Sequence, residues 1–228
     1  MLFRNLCIEF EEAWDALAST AVSEQTRVSF LFARQAMLLV ELASRVASQD
    51  PATSKRFAAE LQAREPRLFK PIPAYKPGPQ ARRCVPRVAA EGDPRSDLIT
   101  LLFDLMRNGL AHYGHQVYAP LADGRAVGVV LVDSMWRGRT LESVRDGGKT
   151  IDHLSCTLQT DGNLVIRVCP AILYLDVRDA SESAGVWDLE ADASEFTVGR
   201  RRQKFGVDEL VAALDDPADA RLDVFRPS

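Results

Sequence analysis

The residues of this 228-residue chain with the most definable chemistry are Arg107 and His112, in the segment Arg-Asn-Gly-Leu-Ala-His. An imidazole can both accept and donate a proton near neutral pH. A guanidinium presents a planar fork of donors that fits phosphate oxygens. Together they predict acid–base chemistry beside a bound phosphate group.

The spacing of the two residues sets a condition on that chemistry. On an α-helix, residues five apart lie about 140° apart around the axis and ~7.5 Å apart along it, so they do not share a face. A symmetric pair of helices from two subunits would bring two arginines and two histidines into one cleft. The motif therefore favours a homodimer.

Structural roles for the same residues are the alternative interpretation. Arg107 could pair with Asp104 or with Glu41 and hold helices together. His112 could bond the last carbonyls of its helix, at the negative end of the helix dipole.

Helical patterns surround the motif. Apolar side chains recur at steps of three and four in three segments, residues 5–20, 23–48 and 97–113, and a short helix is predicted at 51–63, after the boundary at Asp50-Pro51. Pro51 suits the first position of the third helix, Ser96 or Asp97 suits the cap of the fourth, and Gly114 suits its end. These features predict an N-terminal bundle of four to five helices, with the motif near the end of the fourth.

The motif and its position resemble the R-x(4–6)-H motif of HEPN domains, which prefers Asn directly after Arg. The helical half, about residues 5–115, is similar to a HEPN bundle in order and length, and the β-rich half is not covered. The resemblance implies a metal-independent endoribonuclease that acts as a dimer. It implies His112 as general acid and base, Arg107 on the scissile phosphate and Asn108 as a positioning residue. The ribose 2′-hydroxyl would attack and leave a cyclic phosphate end.

The same resemblance leaves a second function open. HEPN relatives include proteins that bind RNA, nucleotides or partner proteins without cleavage, so a non-catalytic module is the alternative. Analogy with the family also implies a toxin–antitoxin or defence setting, with an antitoxin or another protein as partner.

Residues 65–94 predict a second candidate site. They hold seven of the twelve prolines, which exclude a regular helix or central strand and predict a long loop. The stretch from Arg64 to Arg87, both included, holds seven basic residues and one acid. We expect Arg82, Arg83 and Arg87 to bind RNA phosphates, with a solvated surface as the alternative.

Strand patterns follow Gly114. The predicted strands are residues 127–133, 153–160, 163–169, 171–177 and 195–199, with Asp161-Gly162 as a hairpin turn and a last helix at 207–214. The fold class is therefore α+β, a helical bundle followed by a small, mainly antiparallel sheet. We divide it into a bundle region, 1–116, and a β-rich region, 117–228.

Composition narrows the functional class. Hydrophobic residues at 46%, charged residues at 26% and a net charge of −4 exclude a disordered chain, a collagen and a coiled coil.

No apolar segment reaches the ~20 residues of a membrane span, and the N-terminus lacks a signal-peptide pattern. Four scattered cysteines without a CxxC pair favour a reducing cytoplasm. His112-x-x-His115 has no third ligand nearby, so we expect no metal and no cofactor.

Overall fold

The computed structural model describes residues 2–18, 22–72, 75–79, 81–86, 96–109, 118–132, 140–146 and 153–192. Three helices open the chain, and all three are confirmed: α1 (Leu2–Ala18), α2 (Val22–Ala47) and α3 (Pro51–Arg64). Pro51 occupies the first turn of α3, and the Asp50 carboxylate caps it by accepting the Thr53 N–H at 2.9 Å.

The proline-rich segment is not free of helix, so that part of the prediction is wrong. It contains a 3₁₀ helix (Pro66–Phe69) and the short helix α4 (Ala81–Cys84). Pro66 lies in the first turn of the 3₁₀ helix. Backbone N–H groups there have no partner within the helix, so the lack of an N–H in proline costs no hydrogen bond. The four residues of α4 contain no proline. Residues 73–74, 80 and 87–95 lie outside the described part.

The fourth helix starts where the sequence predicts. Asp97 accepts the Thr100 N–H at 3.1 Å, and the Thr100 hydroxyl accepts the Asp97 N–H at 3.2 Å, so the two residues form a reciprocal cap. Helix α5 (Leu98–Leu102) then continues directly as a π-helix, Phe103–Gly109. The motif therefore begins in a π-helix, and residues 110–117 lie outside the described part.

A small sheet confirms the α+β class. Its strands are β1 (Ala119–Pro120), β2 (Ala126–Leu131), β3 (Ser155–Leu158) and β4 (Leu164–Val168), in the order β1-β2-β4-β3. The two outer pairings are antiparallel, whereas the central β2–β4 pairing is parallel. Gly162, with a φ of 84°, forms the predicted turn between β3 and β4. A short helix, α6 (Leu141–Asp146), lies between β2 and β3 in the chain.

The predicted strand at 171–177 is wrong, because these residues lie in helix α7 (Pro170–Ala184). Pro170 lies in the first turn, and Gly185, with a φ of 77°, closes the helix. The apolar run resembles a buried strand because α7 is covered by both α2 and α3. Helix α8 (Val186–Asp192) follows, and the predicted elements at 195–199 and 207–214 lie outside the described residues.

The aromatic core joins the two predicted regions. The Phe10 ring of α1 stacks on Tyr174 of α7 at 4.1 Å between centroids and meets Phe32 of α2 edge-on at 5.0 Å. Met1–Ala193 form the first compact unit of the chain. The predicted boundary at 116/117 therefore falls inside the first unit. None of the described helices is long and apolar enough to cross a membrane.

Candidate functional site

Arg107 is held by a buried carboxylate on α2. Its Nε donates to Glu41 Oε2 at 3.1 Å, and the other Glu41 oxygen lies 2.5 Å from Nη2 of Arg45. The Glu41 side chain is 8% exposed and that of Arg107 is 27% exposed. Of the two pairings considered from the sequence, the one with Glu41 is present. These three side chains, two arginines and one carboxylate, together carry one net positive charge.

The guanidinium of Arg107 keeps donors for a further partner. Its bond to Glu41 uses Nε, and within the described part of the chain neither Nη nitrogen has a hydrogen-bond partner. A guanidinium fixed at Nε has lost much of its freedom before any ligand arrives. The two Nη groups can therefore bind an anion such as phosphate.

The same cluster contacts the predicted RNA-binding segment. Arg45 Nη2 lies 3.8 Å from the sulfur of Cys84, the last residue of α4. Arg83, the preceding residue, is exposed. The fold thus brings α4 to the carboxylate that holds Arg107, although the sequence treats them as separate sites. Arg82 also belongs to α4, but its side chain is not described, and Arg87 lies outside the described residues.

Asp104 ties the proline-rich segment to the π-helix. One carboxylate oxygen of Asp104 accepts the Tyr75 hydroxyl in a short hydrogen bond and the Gly78 N–H at 2.8 Å. Burial, together with this hydrogen bond, raises the pKa of the Tyr75 hydroxyl, so it stays protonated. A Cβ at position 78 would lie 3.2 Å from Asp104 Oδ1, which explains the glycine. The segment is therefore fixed one turn from Arg107.

The structure places only part of the predicted catalytic set. Asn108 belongs to the π-helix, but its side chain is not described, and His112 lies outside the described residues.

Sequence reasoning missed a buried polar cluster elsewhere in the chain. Glu65, His153 and Asp176 each place one polar side-chain atom within 4.8 Å of the others. Arg67 holds Glu65 with two bonds, Nε to Oε1 at 2.7 Å and Nη2 to Oε2 at 2.5 Å. No motif could reveal the cluster, because its members come from three distant segments.

The hydrogen bonding of His153 argues against a metal at this cluster. The backbone N–H of Cys169 donates to His153 Nδ1 at 2.9 Å, so the proton of the neutral ring is on Nε2. Burial is the main cause that lowers the pKa of His153 to about 4, which keeps the ring neutral. In this tautomer neither nitrogen offers a lone pair to a metal ion. The cluster is therefore a buried polar network.

Asp176 makes this network sensitive to pH. Burial, reinforced by the charge of Glu65, raises the pKa of Asp176 to about 7. The folded state therefore binds this proton more tightly than the unfolded state, and stability falls as pH rises from about 4 to about 7. We expect Asp176→Asn, which mimics the protonated acid, to raise the melting temperature by roughly 4 °C or more at pH 8.

A comparison at two pH values isolates this effect. The difference in melting temperature between Asp176→Asn and the original chain should be much smaller at pH 5 than at pH 8, because folded Asp176 keeps its proton at pH 5. The titration of His153 affects both proteins equally and so does not enter this difference. Asp179→Asn on the same helix is the matched control. Asp179 lies 2.9 Å from Arg178 and 3.5 Å from Arg64, so its replacement should lower the melting temperature at pH 8. A stability gain for Asp176→Asn that does not depend on pH would contradict this assignment.

The candidate site is therefore the arginine cluster around Glu41, with α4 and the π-helix beside it. It combines one fixed guanidinium, a further arginine and an adjacent basic helix. Comparisons of the chain with models of protein families, with curated proteins and with solved structures gave no match.

Proposed function

We propose that this chain is a HEPN-like, metal-independent endoribonuclease that acts as a homodimer. His112 transfers protons at the ribose 2′-hydroxyl and the leaving oxygen, and Arg107 binds the scissile phosphate. Asn108 positions the site, and the basic residues Arg82, Arg83 and Arg87 bind the flanking RNA.

The observation that carries this proposal is the connection through Glu41. This buried carboxylate holds Arg107 at Nε and also holds Arg45, which touches α4. The proposed phosphate-binding arginine and the proposed RNA-binding helix are therefore linked through one buried carboxylate and Arg45. The π-helical turn at Arg107 also supports the proposal, because such turns are frequent at functional sites.

The direct test is cleavage of labelled single-stranded RNA by the purified full chain in the presence of EDTA. We expect cleavage with 2′,3′-cyclic phosphate ends, and specific activity that falls when dilution dissociates the dimer. Light scattering across the same concentrations gives the oligomeric state. Activity that requires added Mg²⁺, or a monomer that cleaves at full rate, would contradict the proposal.

Neutralising the basic segment should change the salt dependence of RNA binding. In the triple variant Arg82→Gln, Arg83→Gln, Arg87→Gln, we expect the slope of log K against log salt to become shallower by roughly 2, since each lost phosphate contact removes ~0.7. Fluorescence anisotropy with a labelled oligonucleotide measures both slopes. Lys55→Gln, an exposed change on α3, is the control and should leave the slope as it is. An unchanged slope in the triple variant would exclude the segment from the interface.

A non-catalytic HEPN-like module is the second candidate function, and one observation favours it. The bond from Arg107 to Glu41 is also what a purely structural arginine would make. RNA binding or capture of a protein partner without any cleavage, under every condition above, would select this function.

A further inference from the structure

A cavity is lined by the sheet, by α5 and by the start of the proline-rich segment. Its volume is about 380 Å³, within the usual range of small-molecule sites. Its apolar lining includes Leu98 and Leu101 of α5 together with Val127, Leu164 and Ile166 of the sheet. The cavity is distinct from the arginine cluster around Glu41, since they share no residue.

The wall of the cavity includes a residue with an unusual backbone. Leu154 has a φ of 53°, in the left-handed region that a leucine rarely adopts. Two bonds fix this segment, from Leu154 N–H to Arg167 O at 2.7 Å and from Arg67 Nη1 to His153 O at 2.5 Å. The fold thus maintains a strained residue at this wall, as proteins often do beside ligands.

The polar side of the cavity is positively charged. Arg67 and Lys70 both line it, and no carboxylate is among its lining residues in the described part of the chain. Glu65 neutralises Arg67 through a two-point ion pair. Lys70 is exposed and forms no ion pair with any described residue. Within the described part of the chain, one positive charge without an ion-pair partner therefore lies beside an apolar cavity.

We propose that this cavity binds a small monoanionic amphiphile, a free carboxylic acid with an aliphatic or aromatic body. The carboxylate pairs with the Lys70 ammonium, and the apolar body packs against the leucine side chains and the sheet. The positive charge of Lys70 favours an anionic ligand, and the apolar walls favour a ligand whose remaining part is aliphatic or aromatic. This inference does not depend on ribonuclease activity.

Isothermal titration with decanoate, below its critical micelle concentration, tests the proposal. We expect affinity to fall by roughly tenfold for each pair of methylene groups removed, from decanoate to octanoate to hexanoate. Decylamine should not bind measurably. Lys70→Glu should weaken decanoate binding at least tenfold, whereas Lys55→Glu on the surface of α3 should leave it unchanged.

A second variant separates the cavity from the surface around it. Leu164→Trp fills the cavity while leaving Lys70 in place, and we expect it to abolish decanoate binding. Thermal unfolding followed by circular dichroism verifies its fold, and Leu164→Phe replaces it if the tryptophan variant does not fold. Equal binding of decylamine, undiminished binding in a folded cavity-filled variant, or binding to phospholipid vesicles but not to decanoate would each overturn the proposal.

Discussion

The substitution His112→Ala is expected to slow RNA cleavage by roughly 10²- to 10⁴-fold while leaving RNA affinity within about twofold. Loss of a positioned general acid or base typically has an effect of this size. Single-turnover rates and binding anisotropy on the same preparation measure the two quantities. Added imidazole should restore part of the rate, because it replaces the missing proton carrier and not a missing structural contact.

His115→Ala is the matched control for this prediction. His115 has the same side chain three residues further along, and the proposed reaction does not use it. We expect its cleavage rate and its pH profile to match those of the original chain. Cleavage by His112→Ala at the original rate would remove His112 from the reaction. Failure of imidazole to restore any cleavage by His112→Ala would point to a structural role for this residue.

Replacing Arg107 should have two separable effects. Arg107→Ala removes the phosphate-binding fork, so we expect a loss of roughly 10²- to 10³-fold in cleavage, as for other groups that stabilise charge in a transition state. It also leaves the buried Glu41 with Arg45 as its remaining ion-pair partner in the described structure, which should lower the free energy of unfolding by about 1–2 kcal/mol. Urea unfolding measures the second effect independently of the first.

The double variant Glu41→Gln, Arg107→Ala decides between catalysis and support of the bundle. A neutral amide at position 41 is no longer a buried charge that arginines must neutralise. Most of the free energy of unfolding lost in Arg107→Ala should therefore return in the double variant. If Arg107 binds the phosphate, the cleavage rate stays low in the double variant. If Arg107 only holds the helices together, the rate recovers along with stability, and the proposal for this residue is wrong.

Local signals explain the parts of the fold that were predicted correctly. Pro51 behind a capping Asp50, the reciprocal cap of Asp97 with Thr100, and Gly162 in the hairpin turn each act within four residues. The strand predicted at 171–177 shows the limit of such reasoning. An apolar run covered on several sides has no clear period, and Pro170 and Gly185 were the local signals that marked it as helix.

The candidate site was only partly predictable for a related reason. The sequence reveals that Arg107 and His112 are suited to phosphate chemistry, because that property belongs to the side chains themselves. The sequence does not decide whether Asp104 or Glu41 pairs with Arg107. Asp104 instead holds the segment of Tyr75 and Gly78, and this arrangement requires contacts between residues far apart in the chain.

The starts of α3 and α5, the hairpin and the α+β class follow from the order of residues alone, because capping, turn formation and periodic burial depend on near neighbours. The folded chain was needed to pair Arg107 with Glu41, 66 residues away, and to bring α4 to the same carboxylate. It was also needed to assemble the network of Glu65, His153 and Asp176 and the cavity beside Lys70. Each of these features is a contact between segments far apart in the chain, and the packing of the whole core determines which segments come into contact.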